Sequence, residues 1–354
     1  MNNSTTTGNE PKPACDVAET VADLIVFAKK AENKFRQQLS ADEEIVTLDK
    51  TRILYHRMAI PETMHAFIWF RGQPLRGEGL IPKVQRSAFR HISDNEYYYL
   101  NQFMVLAPSR HPENVPQTDD YANWLALAQH HGLPTRLLDS SASVLTAAFF
   151  AAGKCPNPGE DRDGVIYAAS PALINSEFGE YKLHNTPVLE LVDPTAIINE
   201  RHLTLMTPTD REHAIIYARD HRSSENPINF IDLMLRCAQS EITELIIGAF
   251  SARRIQSKNA PPVTPQDQSK KILAVMPRQE TRRIMQQHGA FTIHSRESER
   301  LDQAKNSNNF LTQITIPVER KAQIREELRL LGVTRSQLFP DLDNLAREIS
   351  EPRE

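Results

Sequence analysis

The chain is short of glycine, cysteine and long apolar runs, and each shortage excludes something. Its 354 residues hold 12 Gly, where average usage would give about 25. Glycine-built phosphate cradles are correspondingly absent. There is no GxxxxGK[ST] loop, and Gly77-Glu78-Gly79 lacks the third glycine and the helix of a dinucleotide fingerprint. Cys15, Cys155 and Cys237 are far apart and form no CxxC, which argues against a disulfide frame or zinc cage and for a reducing cytoplasm. HExxH and GxSxG are missing too. His130 and His131 are adjacent, so on a helix they diverge by about 100° and cannot both face one metal; no metal is expected. No apolar run is long enough to span a membrane, and the opening MNNSTTTGNEPKPA has neither the basic nor the apolar part of a signal peptide. Charge of one sign is lacking as well. The 41 Lys plus Arg against 45 Asp plus Glu leave −4, which is no generic polyanion binder.

What is present is a globular composition, 40% hydrophobic and 24% charged, with 23 Pro. Residues 1–15 read as a disordered polar tail, 16–55 as an N-terminal helical segment, and 56–350 as one main domain containing a proline-rich, basic, linker-like stretch near 251–270. Asp16 with Glu19 suggests a capping box ahead of an apolar face at Val17, Val21, Leu24, Ile25 and Ala28. His65–Phe70 reads as a buried strand ended by Arg71-Gly72. Ser93 to Glu96 reads as a second capping box. A third helix, about Asp119 to His131, is stopped by Gly132 and Pro134. Asp139, Ser140 or Ser141 is expected to cap a buried helix over Ser141–Ala152. A helix over Thr281–His288 takes Gly289 as its C′ residue. Strands are expected over Gly164–Ala169, Val188–Val192, Lys271–Met276, Phe291–His294 and Leu311–Ile316, with closing helices near 321–331 and 342–349. Helices and strands intermingle without βαβ spacing, which predicts an α+β fold: a mixed or antiparallel sheet flanked by helices.

Two segments carry chemistry. In Trp69-Phe70-Arg71-Gly72-Gln73, an arginine leaves an apolar strand, where its guanidinium can grip a phosphate or carboxylate. Gly72 allows a turn or a close ligand approach. In Gln129-His130-His131-Gly132-Leu133-Pro134-Thr135-Arg136-Leu137-Leu138-Asp139-Ser140-Ser141, polar groups gather around a turn. Both segments resemble the FRG domain family. Phe70-Arg71-Gly72 with Gln73 is similar to its naming motif, and Leu80-Ile81-Pro82 with Arg86 to the stretch that follows. The long segment is similar to its Gln-His-Tyr-Gly-Leu-Pro-Thr-Arg-Leu-Leu-Asp signature. Ala147–Ala151, Arg283–Phe291 and Leu338–Leu342 resemble further family motifs. His131 stands where the family usually has Tyr, and Ser140-Ser141 where it has Trp-Thr or Trp-Ser.

The resemblance names a domain and leaves the reaction open. The layout is also similar to ADP-ribosyltransferases, with NAD as the cofactor such chemistry would use. Arg71 would hold its phosphates, Ser140 or Ser141 would position the ribose, and Glu190 or Glu280 would supply the carboxylate. The catalytic candidates are Arg71, His130, Asp139 and Ser141; the cofactor-binding candidates are Arg71, Gly72, Gln73, Gln129, Arg136 and Ser140. Arg136 is expected to pair with Asp139. A second reading is nucleic-acid binding or metal-free cleavage, with Arg71, His130 and Arg136 at the bond. Residues 253–283 hold eight basic and two acidic residues, an excess of +6; Arg253, Arg254, Lys270, Lys271, Arg282 and Arg283 are its candidates. A third is a sensor of an anionic small molecule. The expected setting is the cytoplasm of a bacterium, in a toxin or phage-defence context. In space, Arg71, Gln73, Gln129, His130, Arg136, Asp139 and Ser141 should converge on one concave site, approached by the helix end at Gln286–Gly289.

Overall fold

The computed structural model describes residues 16–40, 68–110, 115–118, 120–155, 162–179, 189–190, 270–277 and 281–350, together with helical residues among 242–250. Its strands are β1 (Asp16–Val17), β2 (Trp69–Gln73), β3 (Leu137–Ser141), β4 (Gly164–Ala169), β5 (Leu189–Glu190), β6 (Ile272–Met276), β7 (Gly289–His294) and β8 (Leu311–Ile316). They form one sheet in the order β1-β8-β4-β2-β3-β7-β6-β5. The outer pairs β1–β8 and β5–β6 are parallel and the rest antiparallel. This is the expected α+β fold with a mixed sheet.

The helices are α1 (Val21–Ser40), α2 (Arg90–Ser93), α3 (Glu96–Leu106), α4 (Tyr121–His130), α5 (Val144–Ala151), α6 (Pro171–Phe178), α7 (Arg282–Gln286), α8 (Ser307–Phe310), α9 (Lys321–Leu330), α10 (Arg335–Leu338) and α11 (Leu342–Ser350). Alternate residues of each strand face opposite sides of the sheet. On one side, α1, α5 and α9 bury Phe70, Ile166, Ala168, Ile314 and Ile316. Farther along that side, α3, α4 and the helical residues Ile242, Leu245, Ile246 and Ala249 bury Leu137, Phe291, Ile293, Leu273 and Val275. The reverse side packs Trp69, Leu138, Tyr167, Ala274 and Ala290 with Ile174, Leu301 and Phe310. The first side is therefore covered by two separate helix groups, and the centre of the sheet lies between them.

Several local expectations change for identifiable reasons. The capping box of α1 is Thr20 with Asp23. The Asp23 amide donates to Thr20 Oγ1 (3.3 Å) and the Thr20 amide to Asp23 Oδ2 (2.9 Å). Asp16 and Val17 instead pair with Ile314 and Thr315 at the sheet edge. At α3 the side chain of Asn95 makes no cap, and Glu96 turns into the core. The strand over 137–141 displaces the start of α5, and Ser143 is its cap, accepting from the Thr146 amide. Gly132 and Gly332 have positive φ, as helix stops should, whereas after α7 the left-handed residue is His288 (φ 48°) and Gly289 already belongs to β7. Gly72 continues strand β2 rather than ending it. A Cβ there would lie 1.8 Å from the Ala147 carbonyl oxygen, so the glycine admits the backbone of α5, not a ligand.

Candidate active-site cleft

The cleft forms where the sheet opens. β2 pairs with β4 over five residues, Trp69 to Gln73, but with β3 only at Phe70–Ser141. Past that pair the strands separate, and the Arg71 guanidinium enters the gap. Its Nη1 donates to the Asp139 carbonyl and lies 3.9 Å from Asp139 Oδ2. The Arg71 side chain is 19% exposed and that of Asp139 58%. Burial pulls the Arg71 pKa below the usual arginine value, Asp139 opposes that shift, and nearby Arg86 adds to it. Asp139 is oriented from α4: Gln129 Nε2 donates to Asp139 Oδ2 (2.9 Å), and Gln129 Oε1 accepts from Thr135 Oγ1 (2.7 Å). The hydroxyl of Ser141 is engaged, donating to the Gln287 carbonyl (2.6 Å) and accepting from the Ser143 amide (3.0 Å). Half-buried Ser140 lines the cleft beside it.

The far wall comes from the C-terminal part of the chain. Arg283 donates from Nη1 to the His130 carbonyl (3.1 Å), and its guanidinium sits 4.6 Å from the Phe339 ring centre. Burial lowers its pKa while Asp139 and Asp341 oppose. Phe339 meets Phe150 edge-on at 6.0 Å, and Gln287 Nε2 donates to the Leu338 carbonyl (3.0 Å). The resulting cavity is about 1280 Å³. Its lining includes the cations Arg71, Arg86, Lys154, Arg283, Arg325, Arg329 and Arg335, against the acids Glu78, Asp139, Glu326 and Glu348, a difference of +3 (seven minus four). In a chain of net −4 this is a local concentration of positive charge, set beside Phe70, Phe149, Phe150 and Phe339. Such a cleft can hold an anion with a ring attached.

Arg71, Gly72, Gln73, Gln129, Asp139, Ser140 and Ser141 all line this cavity, and the helix end expected to approach does so through Arg283 and Gln287. His130 contributes its carbonyl to Arg283, and its ring packs at 4.9 Å on His131, outside the lining. Arg136 does not pair with Asp139. It is 3% exposed and pairs with buried Glu96 (2.7 Å), and its Nη1 donates to the Leu245 carbonyl (2.9 Å). Glu96 is buried alongside Arg136, whereas Asp139 is 58% exposed and is turned to Arg71 and Gln129 instead. Glu190 lies on β5, three strand spacings from β3, or about 14 Å at the usual separation. Glu280, Arg253 and Arg254 lie outside the described residues. Lys270 and Arg282 are exposed, Lys271 is 9% exposed, and Arg283 faces the cleft. Sequence reasoning did not assign Arg86, Arg283 or Phe339 to the site, although each lay in a motif already singled out.

Beneath Arg71, His294 is wholly buried, with Nε2 at 2.9 Å from Thr292 Oγ1 and Nδ1 at 3.3 Å from Ser298 Oγ. Burial first, then the charge of Arg71, push its pKa down to about 3. The folded form therefore keeps this histidine neutral, while the unfolded chain takes a proton below its ordinary value of 6.5. Stability from this group is complete above that value and is lost as pH falls. Between pH 7 and 5 the expected loss is about 2 kcal/mol. Urea midpoints at the two pH values check this, and His294→Gln should flatten the dependence.

The fold and the cleft define an α+β protein with an arginine-lined cleft opening in its sheet. Residues 66–158 match the family model of the FRG domain, so the chain carries an FRG domain there. No curated protein and no solved structure shows a significant match. The matched segment carries β2, β3, α4 and α5, including Arg71 and Asp139. Among the described residues, no helix is long and apolar enough to cross a membrane, and no three His, Cys, Asp or Glu side chains are grouped to hold a metal ion.

Proposed function

We propose that this FRG domain binds a phosphate-bearing nucleotide in the β2–β3 cleft, with Arg71 as the phosphate grip. The observation that carries the reading is Arg71 itself, a mostly buried guanidinium placed in a gap of the sheet and opening on a cavity whose lining is net positive. Charge-assisted hydrogen bonds in such a site are about twice as strong as neutral ones. Phe339 and Phe150 offer apolar ring faces for a base. Asp139, held by Gln129, is the exposed carboxylate next to the grip.

With NAD as the nucleotide, the chemistry would be ADP-ribosyl transfer. The glycosidic bond to nicotinamide breaks and nicotinamide leaves with the electron pair. An acceptor hydroxyl forms the new bond to the ribose carbon, and its proton passes to the Asp139 carboxylate. Asp139 then takes the part that a glutamate such as Glu190 would have played. A bacterial toxin or defence setting belongs to the same proposal.

Calorimetric titration with ADP, NAD and pyrophosphate tests the binding. Arg71→Ala should weaken ADP by about 10- to 100-fold, with Arg71→Lys between the two and circular dichroism unchanged. A wild-type chain that binds neither ADP nor NAD, or an Arg71→Ala chain that binds ADP equally well, overturns the reading. Nicotinamide release from NAD separates transfer chemistry from binding alone.

A further inference from the structure

Among the described residues, six buried side-chain nitrogen or oxygen atoms have no hydrogen-bond partner. Three of them, Arg71 Nε, Gln73 Oε1 and Arg86 Nε, belong to residues that line the same cavity. Native proteins seldom leave such atoms unpaired, and a cluster of them marks a place where something else supplies the partner. Gln73 is the informative member. It is 2% exposed, and its Nε2 donates to the Gly79 carbonyl (2.9 Å). That bond fixes the amide orientation, because the nitrogen must face the carbonyl. The remaining Oε1 is an acceptor and nothing else. Arg71 and Gln73 are two apart on β2 and so share one side of the strand. Arg86, which lies 3.7 Å from Glu78, is close enough to Arg71 to lower its pKa. The subsite therefore offers two cationic donors beside one fixed neutral acceptor.

An anion without a hydrogen to donate satisfies only the two arginines. A phosphate ester that carries a free hydroxyl a few bonds away satisfies all three. We infer that this corner of the cleft reads a ribose hydroxyl together with the adjoining phosphate, with Gln73 Oε1 accepting from the hydroxyl and Arg71 and Arg86 donating to phosphate oxygens. The inference rests on the nucleotide reading above and narrows it to ribonucleotides.

The test compares ADP, 2′-deoxy-ADP, 3′-deoxy-ADP and pyrophosphate by calorimetry on the full chain, wild type and Gln73→Met. The wild type should bind ADP about 10-fold more tightly than one of the two deoxy forms, since removing that hydroxyl leaves a buried acceptor unpaired. In Gln73→Met that preference should fall to near unity while pyrophosphate binding persists. The wild-type ratio needs no variant, so it stands even if Gln73→Met folds poorly. Equal binding of ADP and both deoxy forms by the wild type overturns the hydroxyl subsite and leaves the nucleotide reading intact. An undiminished preference in Gln73→Met likewise removes Gln73 from the subsite. Binding of pyrophosphate but no nucleotide, or of nothing, overturns both.

Discussion

Gly72→Ala should lower the stability of the protein by about 3 kcal/mol or more and leave little folded chain. The added methyl would lie 1.8 Å from the oxygen and 2.7 Å from the carbon of the Ala147 carbonyl, and 2.9 Å from the Ala151 amide nitrogen. All three are backbone atoms of α5, so no side chain can swing aside. The helix cannot retreat cheaply either. Ala147, Ala148 and Ala151 pack it into the cluster with Phe70 and Ile166, and a Cβ added at Gly164 on β4 would also clash with it, 2.3 Å from the Ala151 oxygen. The small residues of α5 and the two glycines beneath it are one packing device, which sets the helix low on β2 and β4. Since the whole fold is held by only about 5–15 kcal/mol, the loss is a large fraction of it. Urea denaturation or thermal melting reads the effect; a variant melting alongside the wild type would show that α5 has room to move.

The second large effect is expected at Glu96. With Arg136 it forms a buried pair, the two side chains 9% and 4% exposed. Glu96 oxygens accept from Arg136 Nε (3.1 Å) and Nη2 (2.7 Å). Glu96→Ala would leave a guanidinium in the core without its counter-charge, at a cost of about 3–5 kcal/mol. The double variant Glu96→Leu with Arg136→Met removes both charges and should recover much of that loss. Chemical denaturation of the single and double variants checks it. If the double variant is as unstable as the single one, the pair matters through packing rather than through charge.

Much of the site was legible because its residues lie in two short motifs. Of the seven residues expected to converge, Arg71, Gln73, Asp139 and Ser141 do so from neighbouring strands and Gln129 from α4, whereas His130 and Arg136 do not line the cavity. What could not be read was direction. Whether Arg136 faces Asp139 or Glu96 depends on which side of the strand start is covered, and that is decided by α3 and by residues near 245. Gly72 resembled a ligand-approach glycine because nothing local reveals that α5 will settle on it. The capping expectations at Asp16 and Ser140–Ser141 gave way for a common reason: a backbone already paired in the sheet cannot also turn into a helix start. Phe339 and Arg283 were visible as motif members, but their meeting in the far wall of the cleft is a long-range contact that spacing does not encode.

The edge of the sheet has a consequence for how the molecule is made. Among the described residues, Asp16 and Val17 find their strand partners at Ile314 and Thr315, and the Val21 amide that opens α1 donates to Glu327. On a ribosome, the first strand and the first helix must therefore wait while about 300 further residues are synthesised. During that interval the apolar face of α1, with Leu24, Phe27 and Phe35, has α5 as a partner but stays incompletely covered, because Ile314, Ile324 and Leu328, which share its cluster, arrive last. Contacts of such long sequence separation also slow folding after release. Nascent chains of this protein are thus expected to engage chaperones through their earliest helix.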